Sequence, residues 1–307
     1  MNNPGSIVTA TDFSAPSRHA ASRAAMLAKA SGASMTLMHT VGSAAFDDLR
    51  RWLGVGDEAG GKVEQYASRQ LQEVAAEVSK RHGIDVRTHL TQGHPVDQIT
   101  RHADELDADL IVTGTRGAGF FRGVLVGSTA ERVARRSSRP VLLVRQLPRA
   151  PYRRILIPVD FSEWSRASID LARQLAPKAT LVLMHALELP YEGKLRLAGV
   201  ADDVVMRYRN EARREAQQRL RELATEAGLR MNQTQMITPD GADPWMLIVQ
   251  QEQEHDCDLV VIGRQGRHAL DELLLGSTTR MVISEGASDT LVSSPHPGRA
   301  HRSGMAG

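Results

Sequence analysis

Short, nearly continuous apolar runs alternate along the chain with longer stretches in which apolar residues recur every three or four positions, and the whole alternation occurs twice. Residues 6 to 11 form a β-branched run. They lead into "SAPSRHAASRAAMLAKASG", where helical spacing, Ser14 at the start and Gly32 at the end predict a capped helix. "SMTLMH" predicts a second strand, the stretch near 62 to 82 a long helix stopped at Gly83, and "IDVRTHL" a third strand. A helix from about 95 to 106 follows, then the buried strand "DLIVTG", a glycine-rich loop, a helix opening at Ser128 or Thr129, and a last strand, "PVLLV". Strands that are apolar on both faces and separated by helices predict a parallel sheet covered on both sides.

The second pass through this order is a repeat in sequence as well as in pattern. "IVTATDFS" returns as "ILIPVDFS", "MTLMHT" as "LVLMHA", "DLIVTGTRG" as "DLVVIGRQG" and "LVGSTAERV" as "LLGSTTRMV", at offsets of 146 to 149 residues. Four anchors in one order with so little drift predict two copies of one domain. The join falls at "QLPRAPYRR", whose prolines and arginines predict a short polar connection. The expected organisation is a first domain over 1–148, a second over 149–294 and a mobile tail over 295–307.

Composition narrows the class. The 307 residues are 41% hydrophobic and 24% charged, with no apolar run near membrane-spanning length and no basic-then-apolar leader at the start. A cytoplasmic protein without membrane partners is the expectation. The lone Cys257, beside "DLVVIG", reads as a small core residue. Net charge is only +2, although Arg132, Arg135, Arg136, Arg139, Arg145, Arg149, Arg153 and Arg154 cluster near the middle of the chain. Without interleaved aromatic residues they read as a solvated helix face and linker, and nucleic acid is not the expected partner.

Candidate chemistry concentrates in "GTRGAGFFRGVLVGST", which follows a buried strand and therefore lies at the carboxyl edge of the sheet, where open parallel sheets bind ligands. Glycines there let backbone N–H groups approach a ligand closely, and a helix opening at Ser128 and Thr129 favours an anion. Gly114, Gly117, nine residues, Gly127 and Ser128 recur as Gly263, Gly266, nine residues, Gly276 and Ser277. No GxxxxGK[ST], GxGxxG after the first strand, or GxSxG pattern accompanies them. Asp12 and Asp160 end the first strands and can accept from ribose or adenine groups, or cap the following helix. His39 and His185 occupy matching places without metal-ligand spacing, so packing or hydrogen bonding is expected of them.

The pattern G-x2-G-x9-G-[S/T], with "TDFS" or "VDFS" after the first strand and "DLIVTG" before the loop, resembles the universal stress protein family, in its tandem form. That resemblance implies two tandem Rossmann-like domains of the adenine nucleotide alpha hydrolase-like kind, each a five-stranded parallel sheet with helices on both faces. It implies ATP, with or without Mg2+, across the strand ends. Asp12 and Asp160 would contact the nucleoside, and Thr40 and Ala186, just after the second strands, would hold adenine by their backbone. Gly114, Gly117, Gly127, Ser128 and Thr129, with Gly263, Gly266, Gly276, Ser277 and Thr278, would carry ribose and phosphates. Arg116 is a further phosphate partner, but its counterpart is Gln265.

A nucleotide-binding regulatory protein of the stress response is the leading expectation. A slow ATP hydrolase or adenylyl transferase, and a scaffold with empty sites, are the alternatives; neither copy repeats a set of cation, metal-holding acid and nucleophile-positioning residue. The last strands, "PVLLV" and "DTLVS", are expected to pair across a pseudo-twofold axis, within the chain or between two chains. Arg116 and Arg122 face Gln265 and Asp271 in the other copy, partly offset by Arg267 and His268 for Ala118 and Gly119. This favours the first half as the better ATP site. The polar "DTLVS" predicts looser packing in the second half.

Overall fold

The computed structural model describes residues 5–42, 57–117, 127–241, 243–266 and 275–294. In the first half β1 (Ser6–Ala10), α1 (Ala15–Ser31), β2 (Ser34–Val41), α2 (Asp57–His82), β3 (Val86–Gln92), α3 (Pro95–Glu105), β4 (Leu110–Gly114), α4 (Ser128–Arg136) and β5 (Val141–Val144) succeed one another. The second half repeats them as β6 (Arg154–Pro158), α5 (Glu163–Leu175), β7 (Thr180–Met184), β8 (Thr234–Ile237), α8 (Pro244–Glu254), β9 (Leu259–Gly263), α9 (Ser277–Glu285) and β10 (Asp289–Ser293). Between β7 and β8 it carries a short α6 (Glu192–Leu197) and the long α7 (Asp202–Glu226).

Local chemistry sets several of these limits. Ser14 caps α1 by accepting from the Ser17 N–H, and Gly32 ends it in the left-handed region at φ 75°. The helix predicted from 62 begins earlier, at Asp57.

Within each half every strand pairing is parallel, and the strands stand in the order 3-2-1-4-5. The two halves form one ten-stranded sheet, because β5 and β10 pair antiparallel, with Leu142 opposite Leu291. The expected pairing of last strands thus occurs inside one chain. It removes the edge each half would otherwise expose.

Side chains alternate across the sheet. Ile7, Leu37, Leu142, Ile157, Leu183 and Leu291 point to one face, where α1, α2, α5 and α7 cover a core continuous across both halves. Val8 and Val141 face α3 and α4 on the other side, and Leu156 and Val260 face α8 and α9. Cys257 belongs to this second layer; burial pushes its thiol up to about 12, so it is protonated at neutral pH.

The polar strand "DTLVS" does not loosen the packing. All five residues of β10 are buried, and the side chains of Asp289 and Ser293 have partners there. Asp289 Oδ1 accepts from the Arg145 and Gln146 amides at 2.8 and 3.1 Å, and Oδ2 accepts from the Tyr152 hydroxyl at 2.6 Å. Arg23, also buried, places Nε 3.4 Å from the same carboxylate and its guanidinium 4.0 Å over the Tyr152 ring. Ser293 meets Ser168 at 2.7 Å.

Of the arginine cluster, Arg132, Arg135, Arg136, Arg149 and Arg153 are exposed as expected, but Arg139 is buried and bonded to Asp104 and Asp107, and half-buried Arg154 donates to the His255 carbonyl. Position beside β5 and β6 turns a run of charge in sequence into pairs in space. The tail 295–307 lies outside the described residues, and no described helix is long and apolar enough to cross a membrane.

Candidate functional site

The carboxyl ends of β6, β7 and β9 open into a cavity of about 640 Å³. All seven second-half residues singled out by sequence line it: Asp160, Ala186, Gly263, Gly266, Gly276, Ser277 and Thr278. Ala186 follows β7 as expected. Its first-half counterpart Thr40 does not follow its strand: β2 runs on to Val41, and Thr40 pairs with Thr91 of β3. A smaller cavity of about 260 Å³, by Arg173, Leu181 and Arg230 at the opposite strand ends, contains none of the predicted residues.

Each acid is held by its own turn. Asp160 Oδ1 accepts from the Ser162 amide, the Ser162 hydroxyl and the Ser165 hydroxyl at 3.0, 2.5 and 2.8 Å. Asp12 Oδ1 accepts from the amide and hydroxyl of Ser14 at 3.1 and 2.5 Å. The second oxygen of each faces the glycine loop. A Cβ on Gly117 would stand 2.6 Å from Asp12 Oδ2, and one on Gly266 3.2 Å from Asp160 Oδ2. These two glycines therefore admit the carboxylates to the loop.

Gly114 has a different duty. A Cβ there would meet the Pro16 carbonyl group at 2.9 Å, and one on Gly263 would meet Trp164 at 3.0 Å, so both let the strand end touch the first turn of α1 or α5. Gly127 and Gly276 close the loop by donating their amides to the carbonyls of Thr115 and Arg264, at 2.6 and 2.9 Å. As N-caps they bring no side chain, so nothing of the cap residue covers the first-turn N–H groups of α4 and α9. Ser128, Thr129, Ser277 and Thr278 stand in those first turns. Arg116 is half-buried and Gln265 buried at the loop base. Arg122, Asp271, Arg267, His268, Ala118 and Gly119 lie outside the described residues.

The histidines serve the scaffold, as expected. His39 Nδ1 donates to the Thr11 carbonyl and His185 Nδ1 to that of Val159, both at 2.7 Å. Each ring packs on the phenylalanine after the aspartate, Phe13 at 4.2 Å and Phe161 at 4.5 Å. Both phenylalanines hold positive φ, 66° and 61°, a costly conformation for a bulky residue. Sequence reasoning left Phe13 and Phe161 without a role, although their recurrence in "TDFS" and "VDFS" marks them.

The universal stress protein family model matches residues 5–145 and 151–293. The chain belongs to the universal stress protein family. It carries two copies of that domain in tandem. A universal stress protein of Methanocaldococcus jannaschii is 31% identical over 144 residues, which are 46% of this chain and 81% of that protein. The universal stress protein YxiE of Bacillus subtilis is 30% identical over 146 residues, 45% of this chain and 97% of that one. Each thus matches one half. A universal stress protein structure from Archaeoglobus fulgidus covers 94% of this chain and 98% of its own at a TM-score of 0.66 and 20% identity, a likeness of fold.

Proposed function

We propose that this universal stress protein is an adenine-nucleotide-binding regulator, with ATP held across the strand ends of each half and its occupancy ordering the glycine loop for partner proteins. The observation that carries the reading is the convergence of Asp160, Ala186, Gly263, Gly266, Gly276, Ser277 and Thr278 on one cavity of about 640 Å³. That volume falls within the range of roughly 300–1,000 Å³ usual for small-molecule sites.

Asp160 Oδ2 faces the loop and in this reading would accept from ribose. The first-turn amides of α9 and the hydroxyls of Ser277 and Thr278 suit phosphate oxygens. Asp12, Gly117, Gly127, Ser128 and Thr129 take the same parts in the first half, with Arg116 as an added cation. Mg2+ accompanying ATP would draw its oxygen ligands from phosphates and water, since no described cluster of three His, Cys, Asp or Glu converges.

Calorimetric titration with ATP tests the reading, with product analysis of the same samples to measure hydrolysis. Gly276→Val places a branched side chain over the closed loop and is expected to weaken ATP binding in the second half by about tenfold or more while the fold persists. Gly127→Val should do the same in the first half. Unchanged binding in both variants sinks the assignment.

A further inference from the structure

The long helix α7 presents Ala212, Glu215, Ala216 and Arg219 to the second cleft. The Arg219 guanidinium lies 4.1 Å over the ring of Phe161, the same strained residue that packs against His185. Arg219 is the one lysine or arginine among the described residues of the lining, and it forms no ion pair among the described residues. Asp160, Glu188 and Glu215 line the same cleft. Remove the Arg219 charge, and the described lining opposes an anion.

Among the described residues, the matching helix of the first half carries no such group at this position. Ala216, Leu220 and Ala224 of α7 are buried at the positions of Ala67, Leu71 and Ala75 of α2, which sets Gln70 opposite Arg219 and Tyr66 opposite Glu215. Gln70 donates along its own helix to Glu73, at 2.9 Å. The difference sits on an element far in sequence from the glycine loop.

We infer that Arg219 is the residue through which the second cleft recognises the phosphate charge of its nucleotide, a contact for which α2 of the first half offers Gln70 at the matching position. The inference rests on the nucleotide reading above and deepens it. Stacking on Phe161 holds the guanidinium at the cleft by its face, while no described protein acceptor takes its N–H donors. A planar guanidinium so placed suits phosphate oxygens better than an ammonium or an amide would. The second half therefore carries its own means of offsetting the acidic lining.

Trp164 lines the cleft and supplies the reporter. In the full chain carrying Trp52→Phe and Trp245→Phe, Trp164 fluorescence is titrated with ATP, AMP and adenosine. Adding Arg219→Gln, which copies the first half, is expected to weaken ATP about tenfold, AMP less, and adenosine by no more than about twofold. Arg219→Lys should recover part of the ATP loss, and added salt should shrink the difference between parent and Arg219→Gln. Equal loss for ATP and adenosine, or no loss, overturns the inference while leaving the nucleotide site intact. If the parent binds none of the three ligands, the nucleotide reading itself fails and Arg219 with it.

Discussion

His39 and His185 show how a repeated residue can be structural: each spends its Nδ1 proton on the carbonyl that begins the aspartate turn, and each supports a strained phenylalanine. His102 has no such outlet. Its ring stacks on His89 at 3.7 Å, its Nε2 is buried without a partner, and burial, followed by the neighbouring His89, lowers its pKa below the usual 6.5. The charged groups facing it, Glu105 and Arg101, act in opposite senses and are weaker influences. A histidine that resists protonation when folded contributes stability that is whole above pH 6.5 and is lost as pH falls from there toward the folded value, since the unfolded chain takes the proton first. His102→Phe keeps the stack and removes the proton site. Denaturant melts at pH 7.5 and 5.5 should therefore show a smaller loss for the variant; equal losses refute the assignment.

At the scale of elements, the glycine loop and the helix after the first strand form one unit. β4 ends against the first turn of α1 because Gly114 has no Cβ, and Gly127 returns the chain to the Thr115 carbonyl. Gly114→Ala would press on the Pro16 backbone, which cannot rotate away as a side chain could, and is expected to cost about 1–3 kcal/mol, as overpacking does. Gly127→Ala meets nothing nearer than 3.4 Å and should cost less. Urea midpoints of the two variants decide the order, and a larger loss for Gly127→Ala would refute this division of roles. The spacing of these glycines was plain in sequence. Which glycine serves packing, which the carboxylate and which loop closure was not, because the atoms they avoid belong to Pro16, Asp12 and Thr115.

At the scale of the molecule, the join between halves is a buried polar centre inside an otherwise apolar sheet. Asp289 is fully buried, Arg23 is 5% exposed, and Tyr152 bridges them from the connecting segment. Burial and the Asp289 charge raise the Tyr152 phenol well above its ordinary value, keeping it a hydrogen-bond donor. Asp289→Ala would leave the Arg23 cation buried and the two amides after β5 unpaired, at a cost of about 3–5 kcal/mol. A thermal or denaturant melt should show the whole chain destabilised, since the core under the sheet is continuous. A loss below about 1 kcal/mol would show that Asp289 is dispensable.

The sequence by itself determined the repeat, the order of elements, the parallel sheet in each half and the glycine spacing at its carboxyl edge. Those follow from periodicity and backbone freedom, which are local properties of the chain. Tertiary structure alone decided that Asp289 could occupy a central strand, that Arg139 would be buried with two acids, and that Arg219 would reach the second cleft from α7. Each depends on partners 32 or more positions away, as Arg139 and Asp107 are, or on another half altogether, as Arg23 and Asp289 are. A charge read along the chain looks solvated or disruptive until folding supplies the partner that compensates its burial.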